Sequence, residues 1–173
     1  MITRPVRERP VEEIVDAIAQ GLRHTGYEDV GLLSLSSSDY AHILGLVNAV
    51  SDRFSSQHLS ISLPSLRIET FSVDLMDALR GTRRSGFTIA PEAATERMRE
   101  IINKPVSTQQ LLETARAIFS RGYTTIKLYF MIGQPNETME DVVAIATLGK
   151  RVLQIGERYH GRKAKVKLSI STF

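Results

Sequence analysis

A chain of 173 residues, 42% hydrophobic and 24% charged, is of a length and composition that suit one globular domain with a real core. Its formal charge of +3 is mild, and its arginines are scattered in small groups such as Arg80, Arg83 and Arg84, which describes a solvated basic face rather than a nucleic-acid arm. The absence of cysteine excludes disulfides, thiolate metal sites and cysteine nucleophiles, and no apolar run approaches the roughly 20 residues of a membrane span, so a cytoplasmic protein without a signal peptide is expected.

Pro5 and Pro10 hold the basic leading segment out of a helix. Val11, Ile14, Val15, Ile18 and Leu22 then recur at helical spacing, with Gly26 just past the end. Residues 30–35 read as a short buried strand, ended by Ser36-Ser37-Ser38-Asp39. Ile43, Leu44, Leu46, Val47 and Val50 predict the next helix, and residues 59–63 the second strand, closed by Pro64. Ser72 is a suitable N-cap for a short helix carrying Val73, Leu75, Met76 and Leu79. A third strand, residues 86–90, is expected to stop at Pro91. Residues 92–102 pass from polar loop to helix, and Pro105 ends that segment. Ser107 caps a further helix with Leu111, Leu112, Ala115, Ile118 and Phe119, which leaves through Gly122.

Thr125 to Ile132 is nearly unbroken in β-branched, aromatic and aliphatic residues, the pattern of a strand covered on both faces. Gly133-Gln134-Pro135-Asn136 breaks it, because Gly and Pro punctuate and Asn tolerates turn dihedrals. Thr138 then offers an N-cap, with Asp141 at the capping-box position of a long helix. Residues 166–170 predict a last strand.

Strand and helix alternate at about five strands, so the expected class is α/β: a parallel, partial TIM-like (β/α) barrel fragment with outer helices, residues 1–173 forming a single domain. Neither GxGxxG nor GxxxxGK[ST] occurs, which withdraws support from a doubly wound nucleotide binder.

In a parallel barrel the residues just beyond the strands share one rim, where ligands bind. Here they are Ser36, Ser37, Ser38 and Asp39, then Ser65 and Arg67, then Glu92, then Gln134, Asn136 and Glu137, and finally Ser171 and Thr172. Hydroxyls, carboxylates and a guanidinium together suit a small zwitterionic or ribose-bearing ligand. Plainer readings stand beside this one. Asp39 is equally a cap for the next helix, Arg67 a surface partner of Glu69, and Glu92 a first-turn carboxylate. Lys127 and Tyr129 share a parity that would turn both toward the barrel interior. His24, His42, His58 and His160 have no metal-ligand spacing.

Three segments resemble the radical SAM superfamily, and most closely the core of large proteins with a cobalamin-binding-like region upstream. IAPEAATERMREIINKPVS is similar to the superfamily's fourth-strand motif and YFMIGQPNETMEDV to its fifth, while LSLSSSDY occupies the place of the second. By position, the resemblance implies that Ser36, Ser37 and Ser38, with Asp39 beside them, lie near the methionyl amino group of S-adenosylmethionine. It implies that Ser65 and Arg67 reach the methionyl carboxylate or ribose, Glu92 the ribose or amino group, and that Ile132 and Gly133 offer backbone to the adenine. In the superfamily a CxxxCxxC loop holds a 4Fe-4S cluster, and a cysteine-free chain cannot do so. ITRPVRERPVEEIV resembles the segment just after the last cluster cysteine, so Met1 is expected to be internal to a longer frame, the first strand and cluster loop preceding it.

The resemblance thus implies a parent that cleaves S-adenosylmethionine reductively, and a fragment that is inert and binds neither cofactor. Two other classes stand against it: a scaffold or binding domain without a cluster, and a barrel lyase using Lys127 as a Schiff-base amine. Exposed sheet edges make a homodimer the expected protein partnership, with no dedicated nucleic-acid site and no membrane.

Overall fold

Helices and strands alternate through the computed structural model, which describes residues 7–33, 39–57, 59–62, 73–78 and 86–173. Helix α1, Val11–Thr25, starts behind Pro10, whose φ of −57° suits a helix entrance. It closes on Gly26 at φ 70°, with the Gly26 N–H on the Leu22 carbonyl at 2.9 Å, the left-handed cap that glycine adopts without strain. Val15, Ile18 and Ala19 face the core as their spacing predicts. Strand β1, Asp29–Gly31, pairs in parallel with β2, Ser60–Ser62, placing Val30 opposite Ile61. Between them α2, Ile43–Arg53, buries Leu46, Val47 and Val50. Helix α3 is Val73–Ala78; its expected cap, Ser72, lies outside the described residues.

The second half is a parallel sheet in the order β3-β4-β5: Phe87–Glu92, Thr125–Ile132 and Lys165–Thr172. Helices α4, Glu96–Ile101, and α5, Thr108–Ser120, join the first two strands. Helix α6, Met139–His160, joins the second to the third. Strand β4 spans the residues that its composition predicts. Strand β3 does not stop at Pro91. It runs on to Glu92 because the ladder shifts register between Ile89 and Glu92, and a bulge frees proline from supplying an N–H.

Sequence neighbours are sheet neighbours in both sheets, the progression of a partial (β/α) barrel rather than of a sheet wound in both directions. Ile126, Leu128 and Phe130 of β4 are sealed on one face, beneath Leu111, Ala115, Ile118 and Phe119 of α5 and Leu148 and Val152 of α6. Each such burial contributes about 2 kcal/mol. One core runs from Val15 and Val47 through Ile61 and Leu75 to Val152. Among the described residues no helix is long and apolar enough to cross a membrane.

Candidate functional site

The C-terminal ends of β3, β4 and β5 come together at one rim. Met131 pairs with Ser171 and Ile132 with Thr172, while the Gln134 side chain ties the turn after β4 to the end of β3. Its amide Nε2 donates to the Glu92 carbonyl at 3.3 Å and to the Met131 carbonyl at 3.2 Å. Gln134 is buried, and its Oε1 has no hydrogen-bond partner. A buried amide oxygen without a donor costs about 1–3 kcal/mol, so this rim carries an unanswered acceptor. Three residues here hold positive φ: Glu92 at 64°, Gly133 at 87° and Asn136 at 62°. For Glu92, which has a Cβ and no local side-chain remedy, that is a strained setting typical of functional turns.

Of the residues singled out from sequence, Ser36, Ser37, Ser38, Ser65 and Arg67 lie outside the described residues. Asp39 is exposed, ahead of α2, whose N-cap is His42. The next two residues are pinned to the segment before α1: Tyr40 Oη donates to the Arg9 carbonyl at 2.7 Å, and the Ala41 N–H to Glu8 Oε1 at 3.0 Å. Glu92 and Gly133 share the rim, but both have internal partners. The Glu92 carboxylate meets Lys104 Nζ at 3.3 Å, an ammonium that also donates to the Ala90 carbonyl at 2.5 Å. The Gly133 N–H donates to Glu137 Oε2 at 2.6 Å, and the Ile132 carbonyl accepts from the Phe173 N–H at 2.9 Å. The space beside Gly133 is open, with nothing within 4 Å of where a Cβ would stand.

Behind the rim lies a polar network that sequence reasoning read only in part. Asp141 is buried at the start of α6, where its Oδ2 accepts from the Thr138 N–H at 3.0 Å and the Thr138 hydroxyl at 2.9 Å. Its Oδ1 accepts from Thr95 Oγ1 at 2.5 Å, and Arg97, which also donates to the Asn136 carbonyl at 3.1 Å, forms an ion pair with Oδ2. The Thr95 hydroxyl first, and then Thr138 and Arg97, outweigh burial and hold the Asp141 carboxyl well below the usual carboxylate range. One carboxylate thereby locks the loop after β3 to the loop after β4.

Arg99 completes the support. Fully buried, it donates to the carbonyls of Val106 at 2.5 Å, Ala93 at 3.0 Å and Ala94 at 2.9 Å, and to the Thr108 hydroxyl at 2.8 Å. Its planar fork answers three loop carbonyls that would otherwise be orphaned. The signal for Asp141 was its capping-box spacing. Thr95 caps α4, accepting from the Met98 N–H at 3.4 Å, but its bond to Asp141 comes from another segment, and the partners of Arg99 follow no local motif.

No cysteine is present to ligate an iron–sulfur cluster, and no cluster of His, Asp and Glu among the described residues could hold a metal ion. A separate open groove of about 720 Å³ lies near the N-terminal ends of β1 and β2, lined in part by Leu22, Arg23, Arg53 and Phe54. In barrels that end serves stability rather than ligand binding.

Residues 1–149 match the family described as the Radical SAM superfamily. The chain is also 34% identical, over 148 residues, to an uncharacterized protein of Methanocaldococcus jannaschii. That match takes in 86% of this chain and 32% of the archaeal protein, so the chain spans about a third of the length of the curated relative it matches.

Proposed function

The chain belongs to the radical SAM superfamily, and from that premise we propose that it forms the C-terminal part of a core barrel whose rim holds S-adenosylmethionine. In full-length members of the superfamily, S-adenosylmethionine supplies a 5′-deoxyadenosyl radical once it is cleaved reductively at a 4Fe-4S cluster. One observation carries the reading. The backbone of Glu92 and the Gly133-Gln134 turn, drawn from two separate motifs, meet at one rim beside an unanswered buried acceptor. The Gln134 oxygen suits an amino donor, and the open space at Gly133 suits a flat ring, so the residues present fit the nucleoside part of the cofactor. Asp39, Glu92, Ile132 and Gly133, with Ser36, Ser37, Ser38, Ser65 and Arg67, are the residues we assign to it.

These residues, Ile132 and Gly133 through their backbone, would bind and orient the nucleotide; Asp141 and Arg99 would keep the two loops from shifting under it. The cluster does not fit this chain, which has no thiolate to offer. No step through it is assigned, and the chain alone should be inert. A cytoplasmic setting and a homodimer through a sheet edge belong to the same proposal.

The test is release of 5′-deoxyadenosine under anaerobic conditions with iron, sulfide, dithionite and S-adenosylmethionine. The longer gene product that contains this chain should release it, and the chain alone should not. Release by the chain alone, or by neither, would overturn the proposal.

A further inference from the structure

The three-stranded sheet has two unlike faces. One is apolar and covered by helices, with Phe87, Ile89, Ile126, Leu128 and Phe130 buried and Leu168 of β5 facing Gly149 of α6. The other carries Thr88 from β3, Lys127 and Tyr129 from β4, and Lys165, Lys167, Ser169 and Ser171 from β5, all exposed or half-buried. Strand register sets these residues side by side. Lys127 stands between Thr88 and Lys167, Lys165 stands beside Thr125, and Tyr129 beside Ser169.

Adjacent strands are about 4.8 Å apart, so Lys127 and Lys167 put two ammonium groups on neighbouring rungs. Like charges so placed repel, and a fold that serves only stability sets an acid among them. The one carboxylate in these strands, Glu92 at the end of β3, is taken up by Lys104. Lys127 Nζ instead donates to the Tyr129 hydroxyl at 2.7 Å, and among the described residues no carboxylate forms an ion pair with Lys127, Lys165 or Lys167. The face offers three cations and several hydroxyl donors, and the one strand carboxylate, Glu92, is paired elsewhere.

We infer that this face binds a small phosphate-bearing molecule, held by Lys127 and Lys167 with Tyr129 and Ser169 as hydroxyl donors. Lysine meets phosphate as a point charge, and two lysines on adjacent rungs match two negative phosphate groups joined through one oxygen. The inference rests on the barrel reading, since in a barrel this face turns to the lumen beneath the rim, where a substrate of the parent would lie. It therefore names that substrate's class, an acidic phosphate ester or anhydride.

Calorimetric titration of the full chain with pyrophosphate at low salt tests it. Wild type should bind saturably and more weakly as salt is added. The double variant K127Q/K167Q should lose about tenfold or more in affinity, whereas K150Q/K163Q, which removes equal charge elsewhere, should bind as wild type does. Circular dichroism checks that each variant folds; if K127Q/K167Q does not, Y129F/K165Q takes its place with a smaller expected loss. No saturable binding, equal loss in both double variants, or binding of polyglutamate in preference to pyrophosphate would overturn the inference. The 5′-deoxyadenosine assay does not depend on this titration, so either reading can fail while the other stands.

Discussion

At the scale of single residues, Asp141 is the side chain on which the rim depends most. It is buried and negatively charged, and its partners come from two loops: Thr95 and Arg97 before and within α4, Thr138 before α6. Replacing it by Asn leaves Arg97 without its charge partner and turns one acceptor into a donor. The expected cost of Asp141→Asn is about 2–3 kcal/mol, read from urea unfolding. The sign with pH comes from the lowered carboxyl. Its folded-state pKa lies below the unfolded value, so the stabilisation is fully present above about pH 4 and fades as the pH falls below that. Wild type and the Asn variant should therefore converge in stability in acid; a gap that stays constant down to pH 3 or so would assign the effect to packing instead.

At the scale of elements, α6 approaches its neighbours through two glycines. Gly149 meets Leu168, and a Cβ on Gly156 would lie 2.7 Å from Phe119 Cζ and 2.9 Å from Ala164 Cβ. Alanine at 156 would gain about 1 kcal/mol in helix propensity, but Phe119 is fully buried and has nowhere to move. Overpacking costs about 1–3 kcal/mol, so Gly156→Ala should be net destabilising. Gly21, on the exposed side of α1, meets nothing within 4 Å, and Gly21→Ala should stabilise by about 0.5–1 kcal/mol. A urea midpoint that rose for both variants would rule out the close seat of α6.

Elements were also the most legible level of the sequence. Strand β4 is a nearly unbroken run of β-branched, aromatic and aliphatic residues, and α1 ends at the glycine that marks it, because such patterns act within one turn or one strand. Pro91 misled, since its stop signal assumes a regular ladder and the bulge beside it lifts that demand. The rim was legible as a set of strand-end residues. Its internal pairings were not: Thr95 finds Asp141 46 residues away, and Lys104 draws Glu92 aside, contacts that only tertiary packing creates. The fully buried Arg99 runs against composition altogether, for arginine is normally read as surface.

At the scale of the molecule, both sheets are open among the described residues. Among the described residues β5 pairs only with β4, and Leu168 and Ile170 beside its free edge are 40% and 51% exposed. An unpaired edge of this kind invites a second copy. Light scattering should show a mass that rises with concentration, and Ile170→Lys should suppress it; a constant mass for wild type would remove the edge as an association surface.

The order of the strands also bears on how the chain is made. Among the described residues every strand pairing joins strands that follow one another along the chain, so each waits only for one crossover connection to emerge. A polypeptide leaving the ribosome can lay down β4 on β3 and then β5 on β4 as synthesis proceeds, without holding a sticky edge in reserve for a distant segment.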